Sequence, residues 1–180
     1  TNAILKPTTI WDASRYMNMW SVSFSDPTLL GFAQFPGGPG NTDGVVSNYT
    51  YFGSNDAAGV TIPGNFNLGR TMTHEVGHYL GLFHTFQGGC AGNGDFCNDT
   101  PRVEDPNFGC PLTNVSCGTL DMVRNYMDYT DDSCMNIFTI DQKARVIATM
   151  TTATNRPNTV TSNVCTEPAS VNSDVSIQIN

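Results

Sequence analysis

Basic residues are scarce in this sequence of 180 residues. Lysine and arginine together number 8, against 16 aspartates and glutamates, so the net charge is −8. A nucleic-acid-binding surface needs several cations to neutralise phosphates, and this balance therefore argues against a nucleic-acid partner. The acidic surplus fits basic peptides or calcium as ligands, and it equally fits a charge that serves only solubility.

Long hydrophobic runs are also missing. No run approaches the roughly 18 apolar residues of a membrane helix, so no membrane partner is expected. Residues Thr1 to Thr9 lack the basic and apolar blocks of a secretion signal, which indicates a soluble, already processed chain. Domains average about 150 residues, so the length, with 39% apolar and 13% charged residues, predicts one compact domain over residues 1–180.

Six cysteines occur without any CxxC pair, which argues against a zinc-ribbon or redox motif. An even number of cysteines at long spacings predicts three disulfides and an oxidising compartment, with every pairing open. The cysteines are Cys90, Cys97, Cys110, Cys117, Cys134 and Cys165. N-glycosylation sequons begin at Asn48, Asn98 and Asn114, and they favour a secreted, extracellular glycoprotein, although sequons also arise by chance in such Asn- and Thr-rich chains.

The first third of the sequence predicts β-strands. Apolar and polar residues alternate over Tyr16–Phe24, while Leu29–Phe35 and Val45–Phe52 are rich in apolar, β-branched and aromatic residues. After these strands the apolar residues recur at helical spacing, which predicts a helix over Leu68–Leu80. Gly81 can adopt the left-handed conformation that ends a helix.

The rest of the chain predicts an irregular region, one helix and a tail. Residues 85–136 contain five of the six cysteines and eight acidic residues and show little periodicity. A second helix is predicted to begin near Thr139, which forms a capping-box pattern with Gln142. The apolar stripe expected to pack this helix on the protein consists of Ile140, Ala144, Ile147 and either Met150 or Thr151. Residues 155–180 predict a tail along the surface, held through Cys165.

All three histidines of the chain lie within the eleven-residue string HEVGHYLGLFH. On a helix, His74 and His78 project from one face and can both direct a ring nitrogen at one zinc ion. Gly81 lets the chain turn, so that His84 can approach the metal from another direction. Glu75 lies beside these ligands, close enough to reach a zinc-bound water.

Three protein ligands predict a catalytic zinc site, because they leave the fourth position for water. Zinc lowers the pKa of that water to about 7, and Glu75 would act as the general base that passes its proton to the leaving amine. The reaction class is metal-assisted amide hydrolysis. An ordinary helix face could also carry His74 and His78, but the added glycine and His84 make the extended motif far more specific.

Two separate strings resemble one known family. HEVGHYLGLFH matches the extended zinc motif of the metzincin metallopeptidases, and NYMDYTDDSCMNIFT resembles the Met-turn of the pappalysins, the ulilysin-like or cytophagalysin family. Further similarity covers most of residues 11–150. The resemblance implies an α+β, metzincin-like fold with a small twisted mixed sheet, a zinc helix, and a loop-rich, disulfide-bonded lower half with a C-terminal helix. We therefore expect an upper part over residues 1–84, a lower part over 85–154 and a tail over 155–180.

The resemblance also implies roles for individual residues. Met127 would lie beneath the metal as an apolar floor, and Tyr129 would hydrogen-bond the developing oxyanion, although a core tyrosine is the alternative. Asp132 would lie at the base of the S1′ pocket and pair with Arg or Lys, unless the register favours the adjacent Asp131 or the turn is only solvated. The edge strand that would pair with an extended peptide consists of Leu30, Gly31, Phe32, Ala33 and Gln34.

Calcium and the disulfide pairs follow from the same resemblance. The calcium ligands it implies are Asp95, Asn98 through its carbonyl, Thr100 and Glu104. A turn with solvated charges is the alternative reading of this segment. The implied disulfides are Cys90–Cys117 and Cys110–Cys134, which leaves Cys97–Cys165.

Relatives carry a longer stretch before the zinc helix, whereas only 73 residues precede His74 here. The chain is thus either a processed fragment without N-terminal elements or a pro-segment, or a minimal natural version. The expected function is a secreted zinc-dependent endopeptidase that acts on proteins or peptides and cleaves on the amino side of Arg or Lys. The alternatives are a catalytically inactive zinc-containing peptide-binding protein or fragment, and a disulfide-rich structural module.

Overall fold

The computed structural model describes residues 2–154, 156 and 160–164. Its larger sheet has three strands, β1 (Met19–Val22), β2 (Gly31–Ala33) and β3 (Val45–Asn48), in the order β1-β3-β2. The central strand β3 runs parallel to β1 and antiparallel to β2. All four residues of β3 are buried, and β2 forms an edge of this sheet as described. The small mixed sheet agrees with the predicted α+β fold.

The strands are shorter than the patterns predicted, because side chains outside them bond to other loops. Asn18, for example, accepts a hydrogen bond from Trp11 N at 2.8 Å and donates one to the Trp11 carbonyl at 3.0 Å. These bonds bend the chain just before β1. A pattern of apolar residues indicates which segments can form strands, and it does not indicate how many residues pair.

The predicted zinc helix is present as α2 (Arg70–Tyr79), and it packs on β2 and β3. It begins after Gly69, whose φ is 76°, and the chain turns away at Gly81, whose φ is 88°. Glycine adopts these left-handed conformations without the strain that a Cβ atom would impose. Both ends of the helix are therefore set by glycines within one or two residues of the predicted bounds.

The lower half is held by cross-links and a short hairpin rather than by long elements. The hairpin consists of β4 (Val115–Ser116) and β5 (Thr119–Leu120), which were not predicted. The structure forms the disulfides Cys90–Cys117 and Cys110–Cys134. Cys97 is a buried free thiol, whose pKa burial raises to about 12. Its predicted partner, Cys165, lies outside the described residues.

A buried polar cluster fills part of this lower half. Asn107 donates from its side chain to Asp128 at 2.9 Å and to Asp121 at 3.2 Å, and its backbone N–H donates to Asp128 at 2.9 Å. Asn114 donates to Asn107 and to Asp121. Buried carboxylates need such donors, and here amide groups supply them. The region also buries apolar residues, among them Val103, Val123 and Met127, so polar and apolar contacts together hold it.

The second predicted helix is α3 (Ile140–Thr152), with the predicted capping box between Thr139 and Gln142. The predicted packing stripe is wrong, because Ile140 is 80% exposed and Ile147 is 52% exposed. Gln142 is the buried residue instead, and its side chain bonds to Asn125. Polar contacts across the fold therefore decide which face of α3 packs. No helix in the described part of the chain is long and apolar enough to cross a membrane.

Two buried basic residues attach the ends of the described chain to the sheet. The short helix α1 (Leu5–Thr9), which was not predicted, buries Lys6 between the rings of Trp20 and Phe32. Lys6 donates to the Thr42 carbonyl at 3.0 Å. Its charge is thus satisfied by a carbonyl and by two aromatic faces.

Arg156 is buried, contrary to the predicted surface tail. Its guanidinium forms an ion pair with Asp43 at 2.5 Å and lies over the ring of Tyr79. It also donates to the carbonyl groups of Tyr79 and Gln34. One side chain therefore connects the segment after α3 to the end of α2 and to the chain beyond β2. Residues 155, 157–159 and 165–180 of the predicted tail lie outside the described residues.

Candidate active site

The three histidines converge on one point. Helix α2 carries His74 and His78 one turn apart, and His84 returns after the turn at Gly81. His84 Nε2 lies 3.1 Å from His74 Nε2 and 2.9 Å from His78 Nε2. Three imidazole nitrogens this close can hold one ion and leave a fourth coordination position open. The donor set fits zinc.

Two backbone carbonyls fix which nitrogen of each helix histidine is free. His74 Nδ1–H donates to the Tyr126 carbonyl and His78 Nδ1–H donates to the Leu82 carbonyl, both at 2.7 Å. A hydrogen on Nδ1 leaves the Nε2 lone pair available to a metal. These hydrogen bonds therefore orient the two rings.

Burial also keeps these rings neutral. It lowers the pKa of His74 to about 3, with further lowering by His78 and His84, and burial together with His78 lowers the pKa of His84 to about 3. Burial lowers the pKa of His78 as well. Neutral imidazole is the form that ligates a metal, so the site is in its binding state at neutral pH.

Glu75 lies within the same helix, with one carboxylate oxygen unused. Its Oε2 atom is buried and has no hydrogen-bond partner, and burial raises the pKa of the carboxyl group to about 8. Gly31 allows this packing, since a Cβ atom there would lie only 2.8 Å from Glu75 Cγ. A carboxyl group with a pKa close to neutral pH and an unpartnered oxygen, beside three metal-ligating histidines, suits the role of a general base toward a bound water.

Met127 packs beneath the zinc helix. It is fully buried, and a Cβ atom at Gly77 would lie 2.5 Å from its sulfur. Its carbonyl accepts a hydrogen bond from Thr85 N at 3.1 Å, next to His84 in the chain. The residue therefore contacts α2 and also supports the return of the third histidine, as an apolar floor would.

Tyr129 borders the triad on its open side. Its ring centroid lies 4.9 Å from that of His84 and 5.6 Å from that of His74. Burial and the charge of Glu75 raise the pKa of the phenol, so the hydroxyl keeps its proton and can donate a hydrogen bond. This position and protonation state suit an oxyanion donor.

A cavity of about 500 Å³ opens beside His74 and Glu75. Its walls include Leu29, Leu30, Gly31, Tyr51, Phe66, Arg70, Phe108, Tyr129, Asp132 and Met135. Asp132 is 2% exposed, and its Oδ2 atom accepts hydrogen bonds from Leu68 N at 2.7 Å and Arg70 N at 3.2 Å. Asp132 therefore caps the first turn of α2 with one oxygen. Its Oδ1 atom is buried and has no partner, and burial raises the pKa of the carboxyl group.

Two of the five predicted edge-strand residues, Leu30 and Gly31, line the cavity, whereas Gln34 bonds within the protein. Its side chain donates to the Pro39 carbonyl at 2.9 Å and accepts from Thr42 at 2.6 Å. Its backbone N–H donates to the Gly44 carbonyl at 3.0 Å. The Leu30 carbonyl is likewise used within the protein, since it accepts from Asn48 N at 2.8 Å.

Two of the predicted calcium ligands, Asp95 and Glu104, each accept a hydrogen bond from a backbone N–H. Asp95 accepts from Cys97 N at 3.0 Å, whereas Glu104 accepts from Cys90 N at 2.6 Å. Among the described residues, Glu104 belongs to a possible metal-binding group only with Cys90 and Cys117, which form a disulfide. Asn98 is exposed and Thr100 is buried.

The three sequons differ in how accessible their asparagines are. Asn48 is buried and its side chain accepts from Thr50 N, while the side-chain nitrogen of Asn114 donates to Asn107 and Asp121. A glycan attaches to the side-chain nitrogen, so glycosylation would disturb the contacts of Asn114, while at Asn48 it would have to enter a buried position. Asn98 is exposed and is the sequon best suited to carry a glycan.

Some residues of the site were not predicted from the sequence. The Tyr126 carbonyl orients His74, and its position directly before Met127 was the available signal. Arg70 lines the cavity close to Asp132, but its side chain falls on a helix where an exposed arginine is common. The role of Gly31 beside Glu75 depends on a contact between distant elements, which no local pattern reports.

The family model for Peptidase_M43, described as pregnancy-associated plasma protein-A, matches residues 4–151. An extracellular metalloprotease of Verticillium alfalfae is 46% identical over 147 residues, which cover 76% of this chain and 49% of that protein. Extracellular metalloprotease 1 of Coccidioides posadasii is 47% identical over 121 residues, which cover 65% of this chain and 43% of that protein. The chain spans about half the length of the curated relatives it matches.

Solved structures agree with the family match. Mature mirolysin of Tannerella forsythia, in complex with a cleaved peptide, is 39% identical with a TM-score of 0.72, over 81% of this chain and 57% of that chain. Promirolysin of the same organism is 38% identical with a TM-score of 0.69, over 81% of this chain and 50% of that chain. The predicted metzincin-like fold is thereby confirmed, and the chain belongs to the Peptidase_M43 family, the pappalysins.

Proposed function

We propose that this chain forms the catalytic part of a secreted, zinc-dependent endopeptidase. The observation that carries the proposal is the convergence of three neutral histidine Nε2 atoms beside the unpartnered carboxylate oxygen of Glu75. Family membership and relatives named extracellular metalloproteases support the same reaction class.

Each residue of the site has a separate role in the proposed reaction. His74, His78 and His84 hold zinc, which when bound supplies an acidified water and polarises the scissile carbonyl. Glu75 takes a proton from the attacking water and delivers it to the leaving amine. Tyr129 donates a hydrogen bond to the carbonyl oxygen as negative charge develops there. The Nδ1 bonds of the helix histidines keep the ligands oriented during the reaction.

The proposed substrate preference of the peptidase depends on Asp132. We propose that its free Oδ1 atom pairs with an Arg or Lys side chain that enters the cavity on the carboxyl side of the scissile bond. Asp132 lines the cavity and Asp131 is not among its lining residues, which favours the first register. Arg70 already lies near Asp132, so an incoming cation would share the carboxylate with it.

The edge of β2 supports a mode of substrate binding. Strand β2 pairs with β3 on one side, so its other side can receive an extended peptide through main-chain hydrogen bonds. Glu75 packs directly against Gly31 in this strand. A peptide on this edge would therefore have its backbone next to the general base.

Secretion and the remaining partners belong to the same proposal. Two disulfides and relatives named extracellular support an oxidising, extracellular location. The similarity to promirolysin supports a pro-segment in the whole protein. A single domain over residues 1–180 and calcium binding by Asp95, Asn98, Thr100 and Glu104 stay predictions. Calcium-dependent thermal stability that Asp95→Asn abolishes would support the latter.

The competing candidate is a zinc-containing protein, or fragment, that binds peptides without cutting them. Retention of Glu75 in a buried position with a free oxygen favours catalysis. A glutamate with no catalytic task would not need to be kept buried and unpaired.

Cleavage-site mapping on a mixed peptide library tests the proposal. Wild-type protein should cut before Arg and Lys, and a zinc chelator should abolish cutting. Glu75→Ala should retain zinc and lose about 100- to 10,000-fold in rate, the usual contribution of a general base. Absence of cutting by protein that contains one zinc would support the binding alternative instead.

Asp132→Asn tests the specificity separately. Asparagine keeps an oxygen that can cap α2 and removes the charge, so the preference for Arg and Lys should disappear while zinc stays bound. Asp131→Asn is the matched control and should leave the preference unchanged. If Asp131→Asn alone removed the preference for Arg and Lys, then Asp131 rather than Asp132 would lie at the base of the pocket.

A further inference from the structure

A row of three aromatic side chains leads away from the histidine triad on the His78 side. The ring centroid of Phe35 lies 5.2 Å from that of His78 and 5.0 Å from that of Phe83, and Phe83 lies 5.3 Å from Phe96. None of these three phenylalanines lines the cavity that contains Asp132. We call Phe35, Phe83 and Phe96 the aromatic row.

Phe96 occupies an unusual backbone conformation. Its φ is 64°, one of two positive values at residues other than glycine in the described chain, and its side chain is 56% exposed. A left-handed conformation costs a bulky residue free energy, and such strain concentrates at binding and catalytic sites. Burial does not offset the strain here, because more than half of the side chain faces solvent.

Arg145 holds the outer part of the row in place. Its guanidinium carbon lies 5.1 Å from the ring centre of Phe83 and 5.7 Å from that of Phe96. Its Nε–H donates to the Gly81 carbonyl at 2.6 Å, which ties the group to the turn after the zinc helix. The row is therefore a supported surface next to the site rather than a set of independent exposed rings.

The direction of β2 relates this row to one side of a bound peptide. Leu29, Leu30 and Gly31 line the Asp132 cavity at the start of β2, whereas Phe35 follows its end. A peptide paired antiparallel to β2 runs with its carboxyl side toward Leu29 and its amino side toward Phe35. The cavity would then receive the residue after the scissile bond, and the row would meet the residues before it.

We propose that the aromatic row binds aromatic or large apolar side chains located two to four residues before the scissile bond. This inference rests on the proposed peptidase function and adds a second determinant of its substrate class. A strand advances about 3.4 Å per residue. In a peptide aligned with Gly31 to Phe35, the residues two to four positions before the scissile bond therefore reach the aromatic row. Stacking and burial of a phenylalanine there stabilise the complex and its transition state alike.

Matched peptides test the proposal. All contain one Xaa–Arg bond, and they carry either asparagine at the second, third and fourth positions before it or a single phenylalanine at one of them. Wild-type protein should cleave at least one phenylalanine peptide about ten times more efficiently in kcat/KM than the asparagine peptide. Phe96→Asn should reduce this ratio to about twofold or less, since asparagine tolerates the left-handed conformation and removes the ring.

Tyr49→Asn is the matched control. Tyr49 is 66% exposed and contributes neither to the cavity nor to the row, so its substitution should leave the ratio at the wild-type value. Zinc content is measured for each variant. Equal cleavage of all peptides by wild-type protein, or an unchanged ratio in Phe96→Asn, would overturn the inference and leave the proposed function intact.

Binding to zinc-loaded Glu75→Ala separates the two proposals. Fluorescence anisotropy should give the preferred phenylalanine peptide about tenfold higher affinity than the asparagine peptide, and Phe96→Asn should remove the difference. If wild-type protein cut no peptide but this difference held, the peptidase proposal would fail and the aromatic row would stand as a peptide-binding surface. Equal affinities for the phenylalanine and asparagine peptides would contradict the proposed role of the aromatic row.

Discussion

At the scale of single residues, Gly31 controls the distance between the edge strand and Glu75. A Cβ atom at this position would lie 2.8 Å from Glu75 Cγ and 2.9 Å from the Val46 carbonyl oxygen, and that oxygen belongs to a buried backbone. We predict that Gly31→Ala retains zinc and loses about 100-fold in kcat/KM, because a displacement of the base by a fraction of an ångström misaligns proton transfer. Steady-state kinetics and zinc analysis measure both effects.

Gly40→Ala is the control for this prediction, since nothing lies within 4 Å of a Cβ atom at Gly40. Its activity should match that of wild-type protein. Activity of Gly31→Ala within twofold of the wild-type value would mean that the strand and Glu75 can separate without cost.

The neutral histidines predict how acid affects the metal-free protein. In the folded state the pKa values of His74 and His84 are about 3, below the ordinary value of 6.5. Between pH 6.5 and about 3 the unfolded chain therefore binds protons that the folded chain does not. The contribution of these histidines to the free energy of unfolding should decrease as the pH is lowered through this window, by about 1.4 kcal/mol per pH unit for each such proton. Glu75, whose pKa is raised to about 8 in the folded protein, contributes in the opposite direction.

Urea denaturation of metal-free protein at pH 7 and pH 5 measures this dependence. His84→Gln removes one titrating ring, so its loss of stability between the two pH values should be smaller than that of the unsubstituted protein. An equal loss in both proteins would assign the pH dependence to groups other than the triad.

At the scale of elements, Arg156 joins three parts of the fold that the sequence separates widely. Its ion pair with Asp43 is buried on both sides, and it also bonds to carbonyls of Tyr79 and Gln34. We predict that Arg156→Ala lowers the free energy of unfolding by about 3–5 kcal/mol, because it leaves the Asp43 carboxylate buried without its partner. Chemical denaturation measures the change.

Arg15→Ala is the comparison for Arg156→Ala. Arg15 is exposed, so its loss should change stability by no more than about 0.5 kcal/mol. The double variant Asp43→Leu, Arg156→Met should be more stable than Arg156→Ala, since it removes both charges of the ion pair. Similar stability of all these variants would mean that water reaches the Asp43 carboxylate.

The elements also indicate what sequence can predict. The zinc helix was predicted well because a helical period, the histidine spacing and Gly81 agree on it, and the capping box of α3 is likewise local. Helix α1 was missed because five residues that include Pro7 carry little periodic signal. The packed face of α3 was wrong because Gln142 bonds to Asn125, and this long-range contact overrides the apolar stripe.

The same distinction holds for the site. The histidines and Glu75 lie within eleven residues of the sequence, so their spacing alone predicts that they act together. The cap that Asp132 provides to α2, the room that Gly31 leaves for Glu75 and the strained Phe96 depend on residues distant in the chain. Such contacts are set by tertiary packing, which no local pattern contains.

At the scale of the whole molecule, the two disulfides that the described residues form should differ in their effect on zinc. Cys90–Cys117 and Cys110–Cys134 span 27 and 24 residues, so loop entropy gives each a similar contribution of about 3–4 kcal/mol to stability. Only the second closes around residues 126–132, the segment that orients His74 through Tyr126 and caps α2 through Asp132.

Replacing both cysteines of Cys110–Cys134 with serine should therefore raise the dissociation constant for zinc at least about tenfold, since a looser segment no longer fixes the His74 ring. The same replacement of Cys90–Cys117 should raise it less than about threefold. Competition with a chromogenic chelator, at a temperature where both variants stay folded, measures the two constants. Equal increases would mean that global stability, rather than the position of residues 126–132, determines how tightly the triad holds its metal.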